Sequence, residues 1–109
     1  MNMQTRADIR SAALHRLIAR KLRSNPDLWR IPKENIDRWK TSGAGLQPAI
    51  REWEQLLASR SPDQILSLIE GDSEESIRLR SSSPFTGILT EREREMIFQA
   101  HRMRKFRNP

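Results

Sequence analysis

The side chains best suited to proton transfer or metal binding in this chain are its two histidines, His15 and His101. Neither has a second metal ligand four residues later, the spacing that zinc sites on helices use. On a helical projection, His15 lies near the edge of an apolar stripe formed by Ile18 and Leu22, and His101 lies beside Ile97. We therefore interpret both as residues at the edge of a packed face. An enzyme that uses His15 or His101 is the least favoured alternative.

Carboxylate side chains could serve in acid–base catalysis if two of them converged. Their alternate spacing spreads each cluster around a helix, which is typical of a solvated face. The clusters are Glu52 and Glu54, then Asp72, Glu74 and Glu75, then Glu91, Glu93 and Glu95. The chain contains no cysteine, and the glycines of "TSGAGLQP" lack the Lys-Ser/Thr of a phosphate-binding loop. We predict no enzyme activity, no cofactor and no metal site.

The basic residues are better candidates, because they are concentrated at both ends of the chain. The net charge is +6, with 20 Lys and Arg against 14 Asp and Glu. It is +5 over residues 1–24, −5 over 51–75 and +4 over 101–109. Basic ends favour an anionic partner, either an acidic protein or a nucleic acid. An intramolecular alternative is open: the basic terminal helices pair with an acidic central one.

An arginine stripe on the first helix is the main binding prediction. Arg16, Arg20 and Arg23 recur every three or four residues, opposite the apolar stripe, as expected for a helix that contacts phosphates or carboxylates. Arg6 extends the stripe, whereas Arg10 projects nearer Leu14, and the basic tail supplies a second contact. The predicted binding residues are Arg6, Arg10, Arg16, Arg20, Arg23, Arg102, Arg104, Lys105 and Phe85.

The elements that position these residues are predicted to be helices nearly throughout. Tyr is absent, β-branched residues are sparse, and Leu, Ile, Arg, Glu and Ala dominate. We predict one all-α domain over residues 1–109, with four main helices, short helical turns and a frayed basic tail at 104–109. No apolar run approaches the roughly 18 residues of a membrane span, so we expect a cytoplasmic protein. The oligomeric state is left open.

Helix boundaries follow from capping and proline signals. Thr5 is a candidate cap, Ser61-Pro62 begins a short helix that stops at Gly71, and Thr90 begins the last helix. The predicted helices cover about residues 6–23, a segment from Pro48, residues 61–71 and a segment from Thr90. Between the first of these helices and the one from Pro48, Pro32 predicts either a helical turn followed by a second helix from Pro32 or one kinked helix.

The segment "SSSPFTGIL" precedes the last helix and contains Phe85. A serine-rich loop is costly to order, so its apolar side chains should pack on the bundle. Phe85 is then either a core plug or an exposed anchor for a partner. On the last helix, the predicted buried stripe is Met96, Ile97, Ala100 and Met103.

The string "LTERERE" resembles the start of the DNA-binding domain of LuxR-type response regulators. In that family a turn and a recognition helix follow. Here only residues 96–109 remain, and they continue the same helix without turn residues. A capping box and a charged first turn explain the same letters.

Four segments, "SAALHRLIARKL", "ENIDRW", "REWEQLL" and "SPFTGILTERER", together resemble a small bacterial all-helical family of unassigned function. The resemblance implies a companion of a partner encoded alongside, in the manner of toxin–antitoxin pairs. The leading hypothesis is therefore a non-enzymatic regulatory or accessory protein that binds an acidic protein. The alternative is sequence-nonspecific binding of nucleic acid through the basic first helix and tail.

Overall fold

The computed structural model describes residues 5–43 and 47–107, with side chains described as far as residue 102. Helices are the only regular secondary structure in these residues, which confirms the predicted all-α bundle. The elements are α1 (Arg6–Ser24), a 3-10 turn (Pro26–Trp29), α2 (Arg30–Thr41), α3 (Pro48–Ser59), α4 (Pro62–Glu70), α5 (Glu74–Arg80) and α6 (Glu91–Arg107). Whether the tail from residue 104 frays stays a prediction.

Three helices begin with a capping box. The hydroxyl of the cap residue accepts a hydrogen bond from the backbone N–H three residues later, and the acid or amide side chain at that position accepts one from the backbone N–H of the cap residue. The pairs are Thr5 with Asp8, Ser61 with Gln64, and Thr90 with Glu93. All three cap residues were predicted. Local sequence therefore marks where these three helices begin.

Pro32 lies in the first turn of α2 and is buried. A proline is tolerated there because its missing N–H would have no partner within the helix. The preceding 3-10 turn begins at Pro26, where the side chain of Asn25 accepts a hydrogen bond from the N–H of Asp27. The structure thus shows a helical turn that runs directly into a helix, the first of the two predicted forms, with α2 beginning two residues before Pro32.

The core is centred on Trp53 and Phe85, which are 0% and 1% exposed. The indole N–H of Trp53 donates to the carbonyl of Leu79 at 3.0 Å, so its one polar atom is satisfied in the interior. Apolar residues from α1 to α5 and from the loop surround this pair. They include Ile18, Leu22, Ile36, Ile50, Ile65, Leu66, Ile69, Leu79 and Ile88.

The loop that carries Phe85 is held to α2 by one side chain. The amide nitrogen of Asn35, which is buried, donates to the carbonyls of Pro84 and Thr86, both at 2.8 Å. These bonds fix the backbone on either side of Phe85. The prediction of Phe85 as an exposed partner anchor is therefore wrong, because the loop inserts the ring into the core.

Helix α6 lies at the periphery and packs mainly against α1. Lys21 of α1 links the two helices by donating to Glu93 at 2.7 Å and to the carbonyl of Ile88 at 3.0 Å. The predicted buried stripe on α6 is wrong in part: Ile97 is half-buried, but Met96 is 64% exposed and Ala100 is exposed. A helix that packs on a single neighbour buries only a narrow strip. Met103 lies outside the residues whose side chains are described.

Candidate functional site

The exposed side of α1 carries all five of its arginines that were predicted to bind a partner. Its opposite side is buried and contains Ala12, His15, Ile18, Ala19 and Leu22. The basic face consists of Arg6, Arg10, Arg16, Arg20 and Arg23, all of which are exposed. The structure therefore places Arg6, Arg16, Arg20 and Arg23 on the solvent side, as the sequence predicted, and Arg10, which was predicted to project nearer Leu14, is exposed as well.

Arg23 is occupied by an intramolecular partner. Its guanidinium makes two hydrogen bonds to the carboxylate of Glu70, at 2.9 and 2.5 Å. The hydrogen bond from Arg23 is the main cause of the lowered pKa of Glu70, and it raises the pKa of Arg23 in turn. The intramolecular pairing that the sequence left open is thus confirmed for Arg23.

Three other arginines of the basic face differ from Arg23 in having no carboxylate partner among the described residues. Within residues 5–43 and 47–102, Arg6, Arg16 and Arg20 make no ion pair. Arg16 affects the pKa of Glu70 through space, without a hydrogen bond to it. Three cations therefore remain accessible to an anionic group from outside the chain.

An apolar strip runs along the same side of α1. Ile9, Ala13 and Leu17 follow at spacings of four residues, so they project in nearly the same direction. Ile9 is 37% exposed, and the other two are half-buried. The strip extends for about 12 Å at 1.5 Å per residue. The sequence patterns described above did not identify this strip.

Helix α6 adds an aromatic group beside the basic face. The guanidinium carbons of Arg10 and Arg94 lie 5.1 and 5.8 Å from the centroid of the Phe98 ring, which is half-buried. Cation–π contacts of this kind hold an arginine in place without neutralising its charge. Both guanidinium groups therefore stay positively charged on this surface, and Arg10 points toward α6.

The contacts between α1 and α6 also fix their relative direction. Lys21, near the end of α1, meets Glu93 at the start of α6, whereas Arg10, near the start of α1, meets Phe98 further along α6. The two helices are therefore antiparallel, and the C-terminal half of α6 extends toward the N-terminal end of α1. The described part of α6 therefore runs toward the end of α1 that carries Arg6 and Arg10.

The predicted contacts on α6 are only partly described. Arg102 is exposed and pairs with Glu95 at 2.7 Å. The side chains of Arg104 and Lys105 lie outside the described residues, although the helix that carries them continues to Arg107. Arg102 therefore resembles Arg23 in having a carboxylate partner within the chain.

His15 is buried, with an exposed fraction of 6%, and does not lie at the edge of the packed face as predicted. Its Nδ1 donates to the carbonyl of Ser11 at 2.7 Å, and its Nε2 has no partner. Burial is the main cause that lowers the pKa of His15. His101 is half-buried, and its Nδ1 donates to the carbonyl of Ile97 at 2.8 Å.

Several carboxylates on other helices take part in ion pairs. Arg78 donates to Glu52 at 2.6 and 2.9 Å, and Lys40 donates to Glu54 at 2.5 Å. Among the described residues, no group of three or more His, Cys, Asp or Glu side chains is close enough to hold a metal ion. Glu52 and Glu54 are half-buried and pair with α5 and α2, so they link helices instead of forming the solvated face that the sequence predicted.

Searches against protein-family models, curated proteins and solved structures gave no match to this chain. None of the described helices combines the length and the apolar character needed to cross a membrane.

Proposed function

We propose that this protein is a non-enzymatic binding protein that docks an acidic protein against the exposed side of α1. The observation that carries the proposal is the apolar strip of Ile9, Ala13 and Leu17 between arginines that lack ion pairs. A partner would cover the strip with apolar side chains, and its acidic rim would pair with Arg16 and Arg20.

This combination favours a protein partner over a nucleic acid. Protein interfaces have an apolar centre and a polar rim, and an amphipathic helix in a groove is a common form of them. A helix that grips phosphates gains nothing from an exposed isoleucine such as Ile9. Arginine is also enriched at protein interfaces, where its guanidinium pairs bidentately with carboxylates.

The sequence resemblance implies a more specific form of the proposal. A regulatory or accessory protein that neutralises a partner encoded alongside, as an antitoxin does, would need an accessible docking face of this kind. We propose a cytoplasmic role, with which a chain that lacks cysteine is compatible. The support for the antitoxin-like role is the resemblance alone.

Nucleic-acid binding is the second candidate, and one observation favours it. The antiparallel arrangement of α1 and α6 brings Arg6 and Arg10 to the end of the molecule toward which the basic tail extends. Arg6 and Arg10 together with the tail would form a single footprint on a phosphate backbone. Such binding would weaken steeply with salt, because each contacted phosphate releases a counterion.

The test compares charge reversal on the basic face with a matched reversal elsewhere. The full chain is cross-linked in its host lysate, and the captured partner is identified and purified. The affinity of this partner is then measured for the wild type and for the double variant Arg16→Glu/Arg20→Glu. The control is Arg51→Glu/Arg60→Glu, which changes the same charge at two exposed positions outside the face. We expect at least a tenfold loss only in the first variant, since it replaces two charge-assisted contacts by repulsion.

A second pair of variants separates the two candidates. Ile9→Ala should weaken a protein complex, whereas Met96→Ala, at another exposed apolar position, should not. In parallel, the binding of a labelled random DNA duplex to the same variants is measured in a salt series. Binding of the duplex that depends on Arg16 and Arg20 but not on Ile9 would support the nucleic-acid candidate. If all variants bind every partner like the wild type, both candidates fail.

A further inference from the structure

A cavity of about 250 Å³ lies between α1, the end of α5, the loop 81–90 and the start of α6. Two of the residues that line it, His15 and Arg80, are buried polar side chains with an unpartnered nitrogen. The cavity lies on the α6 side of α1, lined there by Leu14, and is distinct from the face that carries Arg16 and Arg20.

Arg80 is 4% exposed and makes its hydrogen bonds through one nitrogen only. Nη1 donates to the carbonyls of Ile69 and Gly71, at 3.0 and 2.6 Å. Nη2 has no partner, and no described carboxylate forms an ion pair with the guanidinium. Burial is the main cause that lowers the pKa of Arg80, and the nearby carboxylate of Asp72 raises it, but a guanidinium remains protonated in proteins. The cavity is therefore lined by a permanent positive charge.

A structural role explains the hydrogen bonds made by Nη1 of Arg80. Ile69 lies in the last turn of α4 and Gly71 follows that helix, so Nη1 satisfies carbonyl groups at a helix C-terminus. A cation there also interacts favourably with the helix dipole. This role uses Nη1 and leaves Nη2 without an acceptor. Buried polar atoms are rarely left without a hydrogen bond in native proteins, so a missing acceptor is indicated.

The other groups around the cavity are suited to an anion. Because Nδ1 of His15 donates to the carbonyl of Ser11, Nε2 is the atom that gains a proton, and then donates, when the ring is charged. The hydroxyl of Ser83 accepts a bond from the N–H of Phe85 at 3.2 Å, which leaves its own hydrogen for donation. Arg94 adds a second guanidinium, and no carboxylate lines the cavity.

The rest of the lining is apolar and includes Leu14, Ile18 and Leu89. At about 30 Å³ per water in the liquid, the cavity holds roughly eight heavy atoms. A carboxylate group supplies three, so space remains for a short apolar body. We propose that the cavity binds a small organic carboxylate, whose oxygens accept from Nη2 of Arg80 and whose carbon chain contacts Leu14 and Leu89. This inference does not depend on the proposed function.

The first experiment follows the ring nitrogens of His15 by NMR in the full chain during titration with sodium butyrate and sodium benzoate. Sodium chloride and sodium phosphate at matched ionic strength are the comparison arms. We expect saturable shifts of His15 with both carboxylates and only a small linear change with chloride. Equal or tighter binding of phosphate would overturn the assignment to an organic ligand. No saturable change at tens of millimolar carboxylate would overturn the site itself.

Two variants test the residues. The single ammonium of Arg80→Lys does not reproduce the planar guanidinium, in which Nη1 donates to the carbonyls of Ile69 and Gly71 and Nη2 is a separate donor, so butyrate affinity should fall about tenfold or more. Arg78→Lys, on the same helix but outside the cavity, should bind as the wild type does. Leu14→Trp should fill the cavity and abolish binding in a folded chain, which keeps the proposal testable if Arg80→Lys does not fold. Unchanged binding in Leu14→Trp would contradict the proposed location.

Discussion

The ring of Phe85 packs edge-on against the indole of Trp53, with centroids 5.5 Å apart and planes at 85°. Trp29 and His15 complete the aromatic cluster, with centroids 6.1 and 6.5 Å from that of Phe85. Phe85 thus lies between α3, the 3-10 turn and α1. A loop residue holds together elements that are far apart in the sequence.

Phe85→Ala should therefore strongly destabilise the whole domain. Truncation of a buried phenylalanine costs about 3–5 kcal/mol, a large part of the 5–15 kcal/mol that stabilises a typical domain. Phe98→Ala is the control, because that ring is half-buried at the surface. Urea denaturation followed by tryptophan fluorescence measures both. An equal or smaller loss for Phe85→Ala would show that the ring does not organise the core.

Asn35→Ala should loosen the loop without removing an apolar contact from the core. It leaves the carbonyls of Pro84 and Thr86 without their donor, and an unsatisfied buried group costs about 1–3 kcal/mol. Gln55→Ala, at an exposed position on α3, should have little effect. Hydrogen exchange of the Phe85 amide is the specific measurement. Protection that is unchanged in Asn35→Ala would mean that the aromatic cluster alone holds the loop.

Elements governed by neighbouring residues were predictable from the sequence. The capping boxes at Ser61 and Thr90 depend only on residues three positions apart, and they are where the pattern placed them. The exposure of Met96 was not predictable, because it depends on whether α6 packs against one helix or several. The same applies to the cavity: nothing near Arg80 in the sequence indicates that its charge is buried beside His15.

Acid should weaken the junction of α1 and α6. The hydrogen bond from Lys21, and then that from the N–H of Thr90, lower the pKa of Glu93 from its usual 4.5. A group whose pKa is lower in the folded state stabilises the fold above its unfolded pKa, and this stability is lost as the pH falls. Glu93→Gln should therefore reduce stability at pH 7 and reduce its dependence on pH below about 4.5.

The matched variant is Glu91→Gln, at an exposed position two residues before Glu93 on the same helix. It changes the net charge equally and has no described partner on α1. Thermal unfolding of both variants between pH 3 and pH 7 separates the specific contact from the general effect of charge. If the two curves coincide, the pair between Lys21 and Glu93 contributes nothing to the junction.

His15 should produce a second, separate pH dependence. Burial lowers its pKa from the usual 6.5, the hydrogen bond to Ser11 acts in the opposite direction, and the charge of Arg80 lowers it further. The unfolded chain therefore binds a proton at a higher pH than the folded chain. Stability should be constant above about pH 6.5 and should decrease as the pH falls below it, because protonation favours the unfolded state.

This effect can be isolated above about pH 5.5, because the carboxylates with lowered pKa values have a usual pKa of 4.5 and take up few protons in the unfolded chain at that pH. Between pH 6.5 and about 5.5, the unfolding free energy of the wild type should fall, whereas that of His15→Gln should stay nearly flat. Addition of butyrate at pH 5 should restore part of the lost stability, since a bound carboxylate favours a charged His15. A slope that persists in His15→Gln would assign the proton uptake to another group.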